Sequence, residues 1–348
     1  MATGSAPKGG LAAGQLGTGY ERRSTIDSMG VALMLFICVS WGMNQVAIKI
    51  GNDGFNPMYM AAARSFTGGL LVFLWCWFRG ITLFQNDKTL IPGLIIGCLF
   101  GLEFVLIFAG LDMTSAGRST LMINTMPFWV AIGAHFLLGE RIRPLTFVGM
   151  VVAFSGVILV LSDELSMPGE NAIYGDILCL ISSIFWAATT LVIKKSTLND
   201  AAPEKTLLYQ LLIASIVPLP FAPMLGDAVR DPTMLTYASF VFQAAFIVAF
   251  TYPLWFWMIR RYPASALSNF ALLIPAFGVM LSGFVLGEPM SWKLFAALGL
   301  IAGGLFIANY AQRVAVRKAV LQVDTQNAIQ NANQNNGHAK AMQEKHLS

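Results

Sequence analysis

Leu138-Gly139-Glu140 and Leu286-Gly287-Glu288 are one tripeptide read twice, and each copy keeps the same company. Pro127 precedes the first and Phe147 and Gly156 follow it; Pro275 precedes the second and Phe295 and Gly304 follow it, every mate standing 148 positions on. The same displacement carries Phe104 to Tyr252, Phe108 to Phe256, Ala116 to Ala264 and Phe136 to Phe284. Upstream, Gly30, Trp41 and Lys49 match Gly175, Trp186 and Lys194 at an offset of 145, and Pro57 matches Pro203 at 146. Such a constant offset indicates a duplicated unit. Each unit accounts for five helices, and an odd number of membrane crossings inserts the second copy upside down, an arrangement typical of transporters.

Composition sets the solvent. The 348 residues are 56% hydrophobic and 11% charged, against roughly 25% charged in soluble domains. The expectation is an all-α integral membrane protein with ten transmembrane helices in two inverted five-helix repeats. Ten apolar stretches approach the ~20 residues that a spanning helix needs: 29–51, 57–78, 90–110, 115–138, 144–162, 173–194, 205–224, 237–259, 263–286 and 291–312. The seventh carries Pro218, Pro220 and Pro223 near one end, which favours a broken or early-ending helix. The implied organisation is a cytoplasmic tail over 1–28, a first repeat over 29–162, an external linker over 163–172, a second repeat over 173–312 and a tail over 313–348. Residues 1–28 lack the apolar core of a cleaved signal, so the first span is expected to direct insertion. The final tail, rich in Asn and Gln, has little to bury and reads as disordered.

Charge fixes the expected orientation. With a cytoplasmic amino terminus, the inner segments hold 17 Lys and Arg, among them Arg22, Arg23, Lys194, Lys195, Arg260 and Arg261. The outer segments hold three, Lys49, Arg230 and Lys293, while Arg64 and Arg118 fall inside spans. This asymmetry obeys the positive-inside rule with both termini in the cytoplasm. It also absorbs the net charge of +4, leaving no message about nucleic acid.

Ser40-Trp41-Gly42 in the first span, with Leu111, Ser115-Ala116, Pro127 and Leu138-Gly139-Glu140-Arg141, resembles the EamA family of the drug/metabolite transporter superfamily. The second half adds Trp255, Tyr262-Pro263-Ala264-Ser265, Pro275 and Leu286-Gly287-Glu288-Pro289. The likeness covers about residues 29–312. It implies a multi-pass carrier of the bacterial inner membrane, two inverted halves around a central cavity, moving a small metabolite, foremost an amino acid or related compound, out of the cytoplasm. More distant relatives handle cationic drugs or sugar phosphates. Span four departs from the family pattern with Gly117-Arg118-Ser119, where small or apolar residues are more usual.

Ionisable groups inside a bilayer cost roughly 2.5–3.5 kcal/mol each on insertion scales, so each needs a partner or a purpose. Arg64, Glu103 and Arg118 are the three to explain. Arg64 and Glu103 fall at similar depths and could form an ion pair that locks spans two and three. Alternatively Glu103 accepts a proton or a substrate ammonium, with Arg64 tuning it or binding a substrate carboxylate. Their repeat mates, Gln210 and Thr251, are uncharged, so the scaffold does not demand the charges. Arg118 either snorkels to water or forms the outer rim of the cavity. Trp41, Asn44, Gln45 and Ile48 share one helix face, and Trp186, Thr189, Thr190 and Ile193 repeat it. Such polar stripes turn inward, to a cavity or to interhelical hydrogen bonds. Asn124, Tyr252 and Asn269 are further lining candidates, and Pro127 and Pro275 are candidate hinges.

No GxSxG, HExxH, nucleotide-binding loop or aspartate pair lies in the spans, so a secondary carrier is expected, with no cofactor or metal. The partners expected are a solute, lipid and, through Glu103, protons. Gly149, Gly156, Gly299, Gly303 and Gly304 serve either close helix packing or a homodimer contact. A non-transporting receptor or scaffold is the competing class, and a duplicated polar interior has little purpose there.

Overall fold

The computed structural model describes residues 27–310 and 314, apart from 84, 86, 140, 141, 143, 164–168, 263–266, 268, 269, 272 and 309. Glu140, Asn269 and both tails therefore lie outside the described residues. Within them every element is helical, and the one extended contact is an isolated bridge between Phe55 and Val229.

Three long apolar helices come first: α1 (Ser28–Gly54), α2 (Pro57–Phe78) and α3 (Leu90–Met113). Asp27 starts α1 by accepting the Gly30 amide at 2.8 Å. Asn56 starts α2 by accepting the Met58 amide at 3.0 Å, with Pro57 in the first turn, where a missing N–H goes unneeded. The stretch 115–138, expected as one span, is one candidate span over Ala116–Leu138, formed by α4 (Ala116–Ile123) and α5 (Met126–Leu138) with a two-residue turn between them. At the break the Asn124 side chain folds back to donate to the Thr120 carbonyl at 2.7 Å. Next come α6 (Pro144–Leu161) and α7 (Ala172–Lys195). The proline-rich seventh stretch ends early: α8 (Pro203–Ala214) gives way to a 3-10 segment, Leu219–Leu225, at a bend of 46°. α9 (Met234–Val241) runs through a π-helical stretch, Phe242–Thr251, into α10 (Tyr252–Arg261). α11 (Ile274–Leu286) and α12 (Trp292–Ala308) are apolar but shorter.

Among the described residues seven helical spans are long and apolar enough to cross a membrane, eight with the bent pair. The repeated Leu-Gly-Glu has a local cause. Gly139 and Gly287 end α5 and α11 at φ of 70° and 65°, the left-handed cap that a side chain would strain.

The first half (α1–α6) and second half (α7–α12) interlock through glycines. A β-carbon on Gly42 of α1 would come within 2.8 Å of the Gly278 amide nitrogen of α11. Gly149 of α6 and Gly304 of α12 face each other, so these two serve packing within the chain; Gly303 faces open space. A β-carbon on Gly304 would meet the Gly149 carbonyl at 2.4 Å. Gly304→Ala is therefore expected to cost about 2–3 kcal/mol, and Gly303→Ala under about 0.5 kcal/mol, in detergent thermal melts. Equal melting shifts for the two would refute this packing.

Each half also straps the other. At one end of the bundle, Asn56 donates to the Ala222 and Gly226 carbonyls at 3.0 Å each, and Arg230 holds Asp112 at 2.5 Å and the Asn52 carbonyl at 2.9 Å. At the opposite end, Lys205 of α8 holds Asp87 at 2.9 Å and Thr197 donates to the Lys88 carbonyl at 3.1 Å. The Thr89 hydroxyl, then Lys205, keep the Asp87 carboxyl down at about 2, so Asp87 stays charged at physiological pH.

Candidate functional site: an interior cavity

A cavity of about 430 Å³ lies between the halves. The first half contributes Trp41, Asn44 and Gln45 from α1, Glu103 and Phe104 from α3, and Asn124 from the α4–α5 break. The second contributes Trp186, Thr189 and Thr190 from α7, Gln210 from α8, and Tyr252 and Trp255 from α10. The α1 and α7 stripes thus face each other across the void. Asn199, Ala201 and Pro203 also line it, so it reaches the bundle end that carries Lys194, Lys195 and Lys205.

Contacts between halves hold the wall in place. The Trp41 indole N–H donates to the Thr251 hydroxyl at 2.9 Å, and its ring meets Trp255 and Tyr252 at centroid distances of 5.5 and 5.8 Å. Three oxygens of lining residues are buried without a hydrogen-bond partner: Asn44 Oδ1, Gln45 Oε1 and Glu103 Oε2. Glu103 is only 4% exposed.

Of the two readings of Arg64, the ion pair is not formed. Arg64 is fully buried, forms no salt bridge with Glu103, and its three guanidinium nitrogens find no hydrogen-bond geometry. Its Cζ stands 4.2 Å from the Phe104 ring centroid, a cation–π contact. Tyr252 and Glu103 are its electrostatic neighbours. Arg64 is absent from the cavity lining and stands behind Phe104, which belongs to it.

Arg118 neither snorkels nor reaches the cavity. It is fully buried and forms a salt bridge to Asp176 of α7, with Nε donating to Oδ2 at 3.1 Å. It also donates to the Asp163 carbonyl at 2.9 Å, while the Thr114 hydroxyl donates to Asp176 at 2.6 Å. Ser291 hydrogen-bonds the Asp163 carboxylate. Asp176 is the residue the sequence reading missed. An acid one turn inside an apolar helix, with an unexplained arginine in another span, was the available signal.

The same end of the bundle holds two more charged caps. Glu288 accepts the Ala116 and Gly117 amides at 2.8 and 3.1 Å. It thereby caps α4 in the other half. Lys49 donates to the Leu111 and Thr114 carbonyls at 2.7 Å each, closing the end of α3. The cavity thus has one end near the surface and the other behind a sealed polar layer.

The expected hinges are helix starts. Pro127 and Pro275 occupy the first turns of α5 and α11, where a proline removes no helical hydrogen bond, and the bend in the fourth span falls just upstream at Asn124–Thr125. Among the described residues no group of three His, Cys, Asp or Glu is arranged to hold a metal.

A multi-pass helical membrane protein with an interior cavity is the class these features define. The model of the EamA-like transporter family matches the chain twice, over residues 28–162 and 173–310. The chain belongs to that family of small-molecule transporters. A probable amino-acid metabolite efflux pump of Salmonella typhimurium is 26% identical, covering 81% of this chain and 95% of its own length. The Escherichia coli protein of the same description is 25% identical over 83% and 96%. The uncharacterized transporter YoaV of Bacillus subtilis is 22% identical over 80% and 95%. A solved crystal structure shares the fold with a TM-score of 0.59 at 19% identity, covering 83% of this chain and 99% of that one.

Proposed function

We propose that this protein is a secondary carrier that exports a small metabolite, foremost an amino acid or related compound, by alternating access around the interior cavity. The observation that carries this is a void of about 430 Å³ walled jointly by both halves, inside the range of about 300–1,000 Å³ usual for small-ligand sites. Support for two inverted five-helix repeats comes from the double family match, the constant offset and the reciprocal straps at opposite ends. The bent pair and the two shorter apolar helices bring the candidate spans from seven to ten. The efflux-pump relatives favour export of amino-acid metabolites.

In this reading the termini are cytoplasmic, the membrane is the bacterial inner membrane, and the cavity opens inward beside Lys194, Lys195 and Lys205. Trp41, Asn44, Gln45, Glu103, Asn124, Trp186, Thr190 and Tyr252 contact the solute. Arg64 sets the field at Glu103 from behind the wall, and Glu103 is the group that couples protons.

Proteoliposomes loaded with labelled neutral, acidic and aromatic amino acids, with and without a pH gradient, test the proposal. Release that is saturable and protein-dependent is expected. Thr190→Trp should reduce it by about tenfold or more by filling the cavity while leaving thermal stability near that of the parent. Unchanged transport in that variant would remove the cavity from the path.

A further inference from the structure

Among the described residues that line the cavity, Glu103 is the one acid. Asn44 Oδ1, Gln45 Oε1 and Glu103 Oε2, on lining residues, are acceptors shielded from the open space and without a hydrogen-bond partner. Amides can turn either face to a ligand, but an ionised carboxylate can only accept. A cationic partner favours the ionised form of Glu103, and in that form the carboxylate can only be completed by a group that donates. Leaving such a group unsatisfied is costly, so a ligand that supplies hydrogens gains what the empty site lacks.

The basic side chains do not offer the opposite charge to a solute. Among the described lining residues there is no Lys or Arg. Arg64 is completely buried behind Phe104, and Arg118 is committed to Asp176. The wall also carries several aromatic rings: Trp41 packs with Trp255 and Tyr252, and Trp186 of α7 lines the same cavity. Indole faces attract cations as well as apolar groups.

We propose that the cavity selects solutes by a protonated amine joined to an apolar or aromatic body, and that a carboxylate on the solute is dispensable. The ammonium donates to Glu103, with the Asn44 and Gln45 oxygens as further acceptors, and the body lies against the indoles. This inference rests on the carrier reading of the same cavity and sharpens it: simple aromatic amines are carried as well as amino acids, and carboxylates lacking the amine are rejected.

Phenethylamine, phenylalanine and 3-phenylpropionate separate the two charges on one ring. Calorimetric binding to the purified full-length protein and counterflow in proteoliposomes should rank phenethylamine equal to or above phenylalanine. Phenylpropionate should fall about tenfold or more below both, the loss expected when a buried charge is left unpaired. Glu103→Gln should weaken phenethylamine by a similar factor, and Glu103→Asp, which keeps the charge, should restore part of it. Phenylpropionate binding as well as phenethylamine, or phenylalanine binding while phenethylamine does not, overturns the amine rule and leaves the carrier reading standing. Absence of protein-dependent movement of every solute in this set and in the amino-acid panel overturns both. The comparison of three solutes on the unaltered protein decides the matter even if the Glu103 variants do not fold.

Discussion

Oxidation of a Gly117→Cys/Ser282→Cys pair is expected to stop transport almost completely, and reduction is expected to restore it. A β-carbon on Gly117 of α4 would lie 2.7 Å from the Ser282 hydroxyl of α11, which brings the two side chains within disulfide reach. The bond would join the halves at the sealed end, where Glu288 caps α4. Alternating access requires that end to open once per cycle, so a covalent link there holds the carrier in the conformation described. Counterflow of the solute found in the amino-acid release panel, measured before and after reductant, gives the answer. Transport that continues in fully cross-linked protein would show that α4 and α11 need not part. Cys98, the one exposed cysteine among the four, is best replaced by Ser beforehand.

Removing one partner of the Arg118–Asp176 pair is expected to destabilise the protein by about 3–5 kcal/mol, because the other charge is left buried without compensation. Both residues are fully buried, and Asp176 also receives the Thr114 hydroxyl. Arg118→Met and Asp176→Asn should each lower the melting temperature in detergent by on the order of 10 °C. Arg118→Met combined with Asp176→Leu should recover most of that loss, since a buried pair replaced by apolar groups is often neutral. If the double variant were as unstable as the sum of the singles, packing or the Asp163 contact would be the cause instead of charge pairing.

The legibility of this chain varied with the range of the interaction involved. Helical breaks at Pro218, Pro220 and Pro223 followed from local backbone chemistry, and the bend after α8 is where the prolines put it. The inward turn of Trp41, Asn44 and Gln45 followed from helix periodicity and the expense of amides facing lipid. Arg64 and Glu103 were found by the same expense, but of the two relations open to them the ion pair is not formed. Similar depth on adjacent spans says nothing about rotation, and rotation sets the arginine against Phe104. Glu288 caps α4 across a separation of 172 residues, a contact that nothing along the chain marks.

By itself the sequence determined the solvent, the helical class, the family and the duplicated plan, since hydropathy, periodicity and a fixed offset are properties of residues in order. Only the tertiary structure decided what the buried cations meet: Arg118 the Asp176 carboxylate, with 57 residues between them, and Arg64 the Phe104 ring. It also decided that one end of the cavity is sealed while the other reaches the surface. The physical reason is that pairing and closure depend on how helices from two halves rotate against each other. That rotation is set by glycine contacts such as Gly42 with Gly278 and Gly149 with Gly304, which no single helix specifies alone.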